Sequence, residues 1–294
     1  MAKKDIFTRT WIKENALEVI EDYDDGVLTI RALHYKLVSR GMTNTLQHYK
    51  RVVSAMIEAR WEGSVDFKAF SDHDREILGE TMYEHTDIEE SISTAKEQIE
   101  AWMINFSRNR WENQHNYVEV FIEKKALQGV FKPITDKARV ALGACKGYPS
   151  LTFLYDTAER LKQAIENGFN PVILYFGDYD PSGEDIPRSI EENLRRMGVE
   201  TLEVRRIALM EHQVIEWNLP PAPVKEGDSR TSAWDGLGQV ELDAVEPKQL
   251  QRLCKDAIAD LFDTDIFDEL KEEEAIQKQY YISELKSHVQ SLKL

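Results

Sequence analysis

The stretch Val172-Ile173-Leu174-Tyr175-Phe176-Gly177-Asp178-Tyr179-Asp180-Pro181-Ser182-Gly183-Glu184-Asp185 constrains this chain more than any other. Five residues of high β-propensity run together, as in a strand buried on both faces. Two aspartates one residue apart follow, then a Pro-Ser-Gly turn and a helix. The spacing of Ser182 and Asp185 predicts an N-cap and its capping-box partner for that helix. In a doubly wound sheet the carboxyl ends of strands meet helix N-termini, and chemistry gathers there. Asp178 and Asp180 are expected at that edge. Carboxylates converging there repel one another unless a cation lies between them, and hard oxygen ligands suit Mg²⁺. The other reading of the same two residues is Asx-turn chemistry.

A second acidic position supports the sheet-edge reading. Tyr117-Val118-Glu119-Val120-Phe121-Ile122-Glu123 alternates like a strand and ends at Glu123, where a helix (KKALQGVF) begins. ARVALGACKGYPS then predicts a strand, a Gly-rich turn and a helix cap at Ser150, and the helix from Ser150 ends at Asn167-Gly168. After the 172–176 strand come a helix from about Gly183 to Met197 and a strand at Glu203–Ile207. Strands alternating with helices predict an α/β domain with a parallel sheet and right-handed crossovers. Glu123 and the Asp178/Asp180 pair then meet at one edge, where they could hold one or two Mg²⁺ against a phosphodiester.

The N-terminal third reads differently. Helices are predicted over residues 11–24, with Ala16, Val19 and Ile20 on one face and Gly26 as the stop, over 31–40, and from a cap at Asn44 or Thr45 to about Trp61. SVDFKAF (64–70) follows as an extended wing, so the segment suggests a winged helix-turn-helix whose later helix enters the major groove. In the third helix Leu46, Tyr49, Val53 and Met56 form the apolar stripe, and Gln47, Lys50, Arg51, Ser54 and Glu58 the opposite, DNA-facing side. The whole chain carries a net charge of −16, which argues against a simple basic nucleic-acid coat. Between Gly26 and Arg60, however, six basic residues stand against one acid, a local +5. Tyr35 lies about 200° around its helix from Leu33 and Leu37 and shares a face with Arg31 at i and i+4. It is either a core or boundary residue or a nucleophile beside a cation that favours the phenolate and holds a phosphate.

The remaining segments are less specific. Residues 72–100 are acid-rich and read as solvated loops and the start of a helix, and IEAWMINFSRNRW (99–111) as a helix. Glu241-Leu242-Asp243-Ala244 reads as charge at a helix N-terminus, with an added carboxylate for the site as the other reading. Pro220-Pro221-Ala222-Pro223 suits an ordered surface connection, and Asp228, Ser229 and Arg230 a loop near the sheet edge. From Asp256 to Glu284 ten acids face two lysines, as on amphipathic helices with a solvated acidic face, or as a mask for the DNA site or a surface for a basic partner. Cys145 and Cys254 lack metal or disulfide spacing and suit a reducing cytoplasm. No apolar run approaches membrane-spanning length, and the Met1-Ala2-Lys3-Lys4 start has no apolar signal region. The expected divisions are a winged-helix domain over 1–75, a helical connector over 76–115, a metal-binding sheet domain over 116–254 and an acidic helical region over 255–294.

The glutamate of IEKKAL (Glu123) and the GDYDPSG motif (Asp178, Asp180) resemble the Toprim domain of topoisomerases, primases and related nucleases. A helix-turn-helix carrying Arg31-Ala32-Leu33-His34-Tyr35, followed by that domain, is similar to the A subunit of type IIB topoisomerases. Topoisomerase VI and the meiotic double-strand-break protein share the arrangement, and Lys146-Gly147-Tyr148-Pro149 resembles a further family segment. The resemblance covers roughly residues 26–215 and is greatest to the short stand-alone Mini-A relatives on mobile elements. It implies that Tyr35 attacks a DNA phosphodiester to form a 5′-phosphotyrosyl link, with Arg31 on the phosphate. It implies that Glu123, Asp178 and Asp180 bind Mg²⁺ and assist acid–base steps. It further implies a homodimer with the tyrosine of one protomer at the metal site of the other, double-stranded DNA as substrate, a separate ATPase subunit for strand passage and a prokaryotic or mobile-element, nucleoid-associated setting. His34 departs from the Tyr or Phe of many relatives. Two other readings stand beside this one: a Toprim nuclease using metal-activated water, and a non-catalytic DNA-binding regulator.

Overall fold

The computed structural model describes residues 6–23, 27–70, 87–221 and 238–291. Two compact units emerge. One comprises residues 1–75 and 117–261, the other 76–116 and 262–294. The segment expected as a connector therefore belongs with the C-terminal region from residue 262 onward, while residues 255–261 of the expected acidic region, the N-terminal helices and the sheet belong to the other unit.

In the first unit, helices α1 (Arg9–Ile20), α2 (Ile30–Ser39) and α3 (Leu46–Trp61) start at N-caps Thr8, Thr29 and Thr45, each hydroxyl accepting a backbone N–H of the first turn. Ile12, Ala16 and Val19 of α1 bury one stripe against α2 and α3. The buried stripe of α3 is Val52, Ala55, Met56 and Ala59, at i, i+3, i+4 and i+7. This corrects the expected stripe: Leu46 is exposed and only Met56 of the four is in the core. The extended wing is also corrected. Residues 67–69 form a 3-10 turn capped by Asp66, and Phe70 makes one parallel bridge to Leu28. Gly26 and the acidic run 72–75 lie outside the described residues.

The sheet has four parallel strands in the order β2-β1-β3-β4: β1 (Asn116–Ile122), β2 (Ala141–Ala144), β3 (Asn170–Phe176) and β4 (Glu203–Ala208). Helices α6 (Leu151–Glu166) and α7 (Pro181–Arg196) cover one face. There Leu154, Ala158 and Leu161 meet Ile186, Ile190 and Leu194 over Phe121, Ile173 and Tyr175. Each fully buried leucine among them contributes about 1.5–3 kcal/mol. Helices α5 (Gln128–Ala138) and α9 (Pro247–Ala259) pack on each other, and Phe131 of α5 meets Phe176 at 4.8 Å between ring centroids. Alternate residues of β3 thus face opposite layers, which is why the run is apolar throughout. Glu119, in mid-strand and 1 % exposed, takes two hydrogen bonds from Arg160 and one from the Tyr117 hydroxyl. A short helix α8 (Glu211–Glu216) follows β4.

The second unit pairs α4 (Ile88–Ile104) with α10 (Thr264–Ser291). The helix expected over 99–111 ends at Ile104. Beyond it, Arg108 bonds Glu112, Glu273 and Glu274, and Gln114 exchanges two hydrogen bonds with the backbone of Asp263. Carboxylates of the acidic region in this way hold a partly buried arginine as well as forming a solvated face. No helix among the described residues is long and apolar enough to cross a membrane.

Candidate active site

Strands β1 and β2 run to one side of the sheet and β3 and β4 to the other, so the order reverses between β1 and β3. Crevices at such a switch point, outside the carboxyl ends of the strands, are where open α/β sheets bind ligands. Glu123 follows β1 directly, and Asp178 and Asp180 follow β3. The backbone N–H of Asp178 donates to Glu123 Oε2 at 2.9 Å, and the Tyr175 hydroxyl donates to the same oxygen at 3.3 Å. Gly177 allows this approach. A Cβ there would stand 2.5 Å from the Tyr175 hydroxyl and 2.7 Å from Glu123 Oε2. The two sequence motifs are therefore one structural site.

Its electrostatics favour a cation. Burial, the nearby negative charge of Asp180 adding to it, holds the Glu123 carboxyl above the usual carboxylate range. Burial and the Glu123 charge push Asp178 up to about 7 against the pull of Lys124. The site also uses Asp180 structurally. Its Oδ1 accepts the Gly183 N–H at 2.6 Å, which makes Asp180 the N-cap of α7 with Pro181 at N1. Ser182, the expected cap, is already inside the helix.

Tyr35 and Arg31 reach the same region in the same chain. Arg31 Nη1 and the Tyr35 hydroxyl both donate to Glu241 Oε2, at 2.6 and 3.2 Å. Lys124 Nζ lies 2.9 Å from Asp178 Oδ2, 3.1 Å from Asp243 Oδ2 and 3.9 Å from Glu241 Oε2. Thr29 Oγ1 donates to Asp243 Oδ1, and the Leu242 N–H to Asp178 Oδ1 at 2.7 Å. Glu241 precedes, and Asp243 lies within, a 3-10 turn (Leu242–Ala244) tied to the sheet edge by the Tyr179–Val240 bridge. Beside the expected helix-end placement, these two acids also bond Arg31, Thr29 and Lys124 and so join the two halves of the site.

Tyr35 is 4 % exposed, although the angular argument put it off the core stripe. The 3-10 turn supplies a second covering layer against α2, so the helix is buried nearly all round. Burial, with Glu241 adding to it, raises the phenol well above its ordinary value. His34 beside it is buried, bonds Asn44 and is held below the usual imidazole range by that burial.

Of the expected DNA-facing residues, Gln47 and Lys50 are exposed. Arg51 and Ser54 are half-buried: Arg51 Nη1 donates to the Phe7 carbonyl at 2.8 Å and Arg9 Nη2 to Ser54 Oγ at 3.4 Å. The structure brings together Arg31, Tyr35, Glu123, Asp178 and Asp180, whereas Arg51 and Ser54 of α3 bond to Phe7 and Arg9 and Gln47 and Lys50 face outward. The residues that sequence reasoning missed are Lys124 and Thr29. Lys124 directly follows Glu123, and Thr29 is legible only as a cap. Asp228, Ser229 and Arg230 lie outside the described residues.

Comparison with family models, with curated proteins and with solved structures returns no match.

Among the described residues no group of three or more His, Cys, Asp and Glu side chains is spaced to hold a metal ion. Two carboxylates nonetheless suffice for Mg²⁺, which keeps most of its waters. Among the described residues, Glu123 Oε1 and Asp180 Oδ2 are the oxygens of that pair left without a protein hydrogen bond, and no cation bonds either carboxylate. Both Asp178 oxygens are engaged by Lys124 and Leu242. The donor set thus fits a Mg²⁺ held by Glu123 and Asp180, with Asp178 available only when Lys124 moves away.

Proposed function

We propose that this chain cleaves DNA with Tyr35 as nucleophile, in the manner of a type IIB topoisomerase A subunit, using Mg²⁺ at Glu123 and Asp180. One observation carries the reading. The Tyr35 hydroxyl, the Arg31 guanidinium and, more distantly, the Lys124 ammonium converge on Glu241, and Lys124 bridges onward to Asp178. A phenol, a carboxylate able to take its proton, two cations for a phosphate and the acidic edge of the sheet are the parts such chemistry needs. The Tyr35 proton passes to Glu241, the Oη–P bond forms and the P–O3′ bond breaks. The 3′ oxygen leaves with a proton from water. When bound, Mg²⁺ supplies Lewis-acid stabilisation of the phosphate charge.

The burial of Tyr35 and its tightly held proton favour a second reading, hydrolysis by metal-activated water with Tyr35 as a structural residue. Supercoiled plasmid incubated with Mg²⁺, stopped with detergent and analysed with and without protease separates the two. The first reading expects protein-linked 5′ ends that Tyr35→Phe abolishes. Free ends that persist in Tyr35→Phe establish the second. Mixing Tyr35→Phe with Glu123→Gln protomers adds the arrangement of a homodimer. Tyr35 bonds its own chain's Glu241, so the mixture is expected to stay inactive, and recovered cleavage would mean a site shared between protomers.

Two further outcomes follow. Mg²⁺ is expected to raise the thermal midpoint of the wild type, and Glu123→Gln to lose that rise while keeping its fold; an equal rise in both removes Glu123 from the metal. DNA binding is assigned to the exposed N-terminal part of α3. Lys50→Glu should flatten the slope of log K against log salt by about 1. Arg51 is a poorer probe because its guanidinium anchors Phe7. A salt slope unchanged in Lys50→Glu moves the DNA surface elsewhere.

A further inference from the structure

Arg60 and Phe67 have no part in the reading above, yet they line a cavity of about 670 Å³ beside it, within the size range of small-molecule sites. Its walls include Arg31, Tyr49, Arg60, Phe67, Phe70 and Lys124. The Arg60 guanidinium lies over the Phe70 ring at 5.0 Å, and its Nε is buried without a hydrogen-bond partner. No described carboxylate pairs with it. Arg31 lies over the Tyr49 ring at 4.9 Å. At the rim Phe67 is 57 % exposed and meets Trp61, 79 % exposed, edge to face at 5.4 Å. The acids on the far wall, Glu241 and Asp243, are already engaged by Arg31, Tyr35, Thr29 and Lys124.

Two neighbouring aromatic rings left in water mark a contact surface. An unpaired guanidinium next to them calls for an anion. Flat rings for bases and cations for the backbone are how proteins hold single-stranded nucleic acid. We propose that this cavity binds a nucleoside phosphate of an unpaired strand, with the base stacked on Phe67 at the Trp61 rim and the phosphate on Arg60. The inference rests on the DNA reading for the source of the nucleotide and not for the existence of the site. It makes a substrate with an unpaired nucleotide next to the duplex the preferred one, because Arg31 is shared between this cavity and Tyr35's partner Glu241.

Calorimetric titration of the full chain with inorganic phosphate, thymidine 5′-monophosphate and a thymidine dinucleotide tests it, alongside fluorescence anisotropy with blunt and overhang-bearing duplexes. The dinucleotide should bind at least about 10-fold tighter than phosphate, and the overhang duplex about 10-fold tighter than the blunt one. Phe67→Ala, an exposed change that leaves the core intact, should erase both differences; Arg60→Gln should weaken all phosphate-bearing ligands. Equal affinity for phosphate and dinucleotide, an unaffected Phe67→Ala, or no binding would each overturn the proposal. A mononucleotide that outcompetes the dinucleotide upholds the pocket and assigns it to free nucleotides. Nucleotide binding that persists in a protein giving no protein-linked ends sinks the tyrosine reading alone.

Discussion

Lys124→Met is expected to lower the stability of the sheet-bearing unit by about 3–5 kcal/mol at pH 8, the cost of leaving buried carboxylates without their cation. Methionine keeps the length of the stem, so the loss reports charge rather than volume. Lys124 is three-quarters buried, Asp178 and Asp243 more so, and the ammonium lies 2.9 Å from the first carboxylate and 3.1 Å from the second. Burial disfavours the charged lysine, but Asp243, Asp178 and Glu241 outweigh it and hold the ammonium charged well beyond neutral pH. The folded lysine titrates above its unfolded value, so its contribution is fully present below pH about 10 and does not vary between pH 5 and 8. Asp178 supplies the pH dependence. Its folded value of about 7 stands above an unfolded value of about 3.9. Across that window the folded state holds the extra proton, so this group makes stability fall as pH rises. Removing Lys124 raises Asp178 further and extends the fall past pH 7. The deficit of Lys124→Met in chemical denaturation should therefore be largest at pH 8 and shrink towards pH 5. A deficit that is small, or the same at both pH values, would mean that Lys124 is not the counter-charge of this cluster.

The same cluster shows which parts of the site a single sequence carries. Strand β3 and its two aspartates are local features, since an unbroken apolar run, a glycine and a Pro-Ser-Gly turn are read within fifteen residues. Glu123 is legible because alternation stops there. The N-cap of α7 was also within reach. Proline is favoured at the first helical position, which makes Asp180, the residue before Pro181, a better cap than Ser182. Lys124 and Glu241 carry no such mark. Their partners lie 54 residues or more away in the chain (Lys124–Asp178, Arg31–Glu241), and no period or spacing joins them. Tyr35 was misplaced for a related reason. Helical angle locates a residue relative to one core, and α2 has a second one, built by the turn at Leu242–Ala244. Likewise Leu46 and Tyr49 continue the period of Met56 but stay out of the core: Leu46 is exposed, and the Tyr49 ring packs against Arg31 and His34 instead.

Gly183→Ala should be more damaging than an added methyl at Gly143 or Gly198. A Cβ on Gly183 would stand 2.1 Å from the carbonyl oxygen of Asp178, and 3.0 and 3.2 Å from its backbone C and N. All three are backbone atoms of the turn that sets both aspartates, so no side chain can swing aside. The first turn of α7 would have to lift from the strand end, breaking the 2.6 Å bond from Gly183 N–H to Asp180 and moving the Asp178 N–H off Glu123. Alanine normally stabilises a helix by about 1 kcal/mol over glycine; here overpacking should reverse the sign and cost about 3 kcal/mol or more. Denaturation of Gly183→Ala beside Gly198→Ala, whose Cβ meets nothing within 4 Å, separates the two causes. Gly198 has φ +92°, so its alanine variant measures backbone strain alone, and Gly183→Ala measures contact alone. The contact argument requires that Gly183→Ala lose both stability and the Mg²⁺-dependent rise in thermal midpoint. A variant that keeps that rise would show that the turn can yield without moving Glu123 and Asp180, and the tight approach of α7 to the strand end would then have no part in placing the acids.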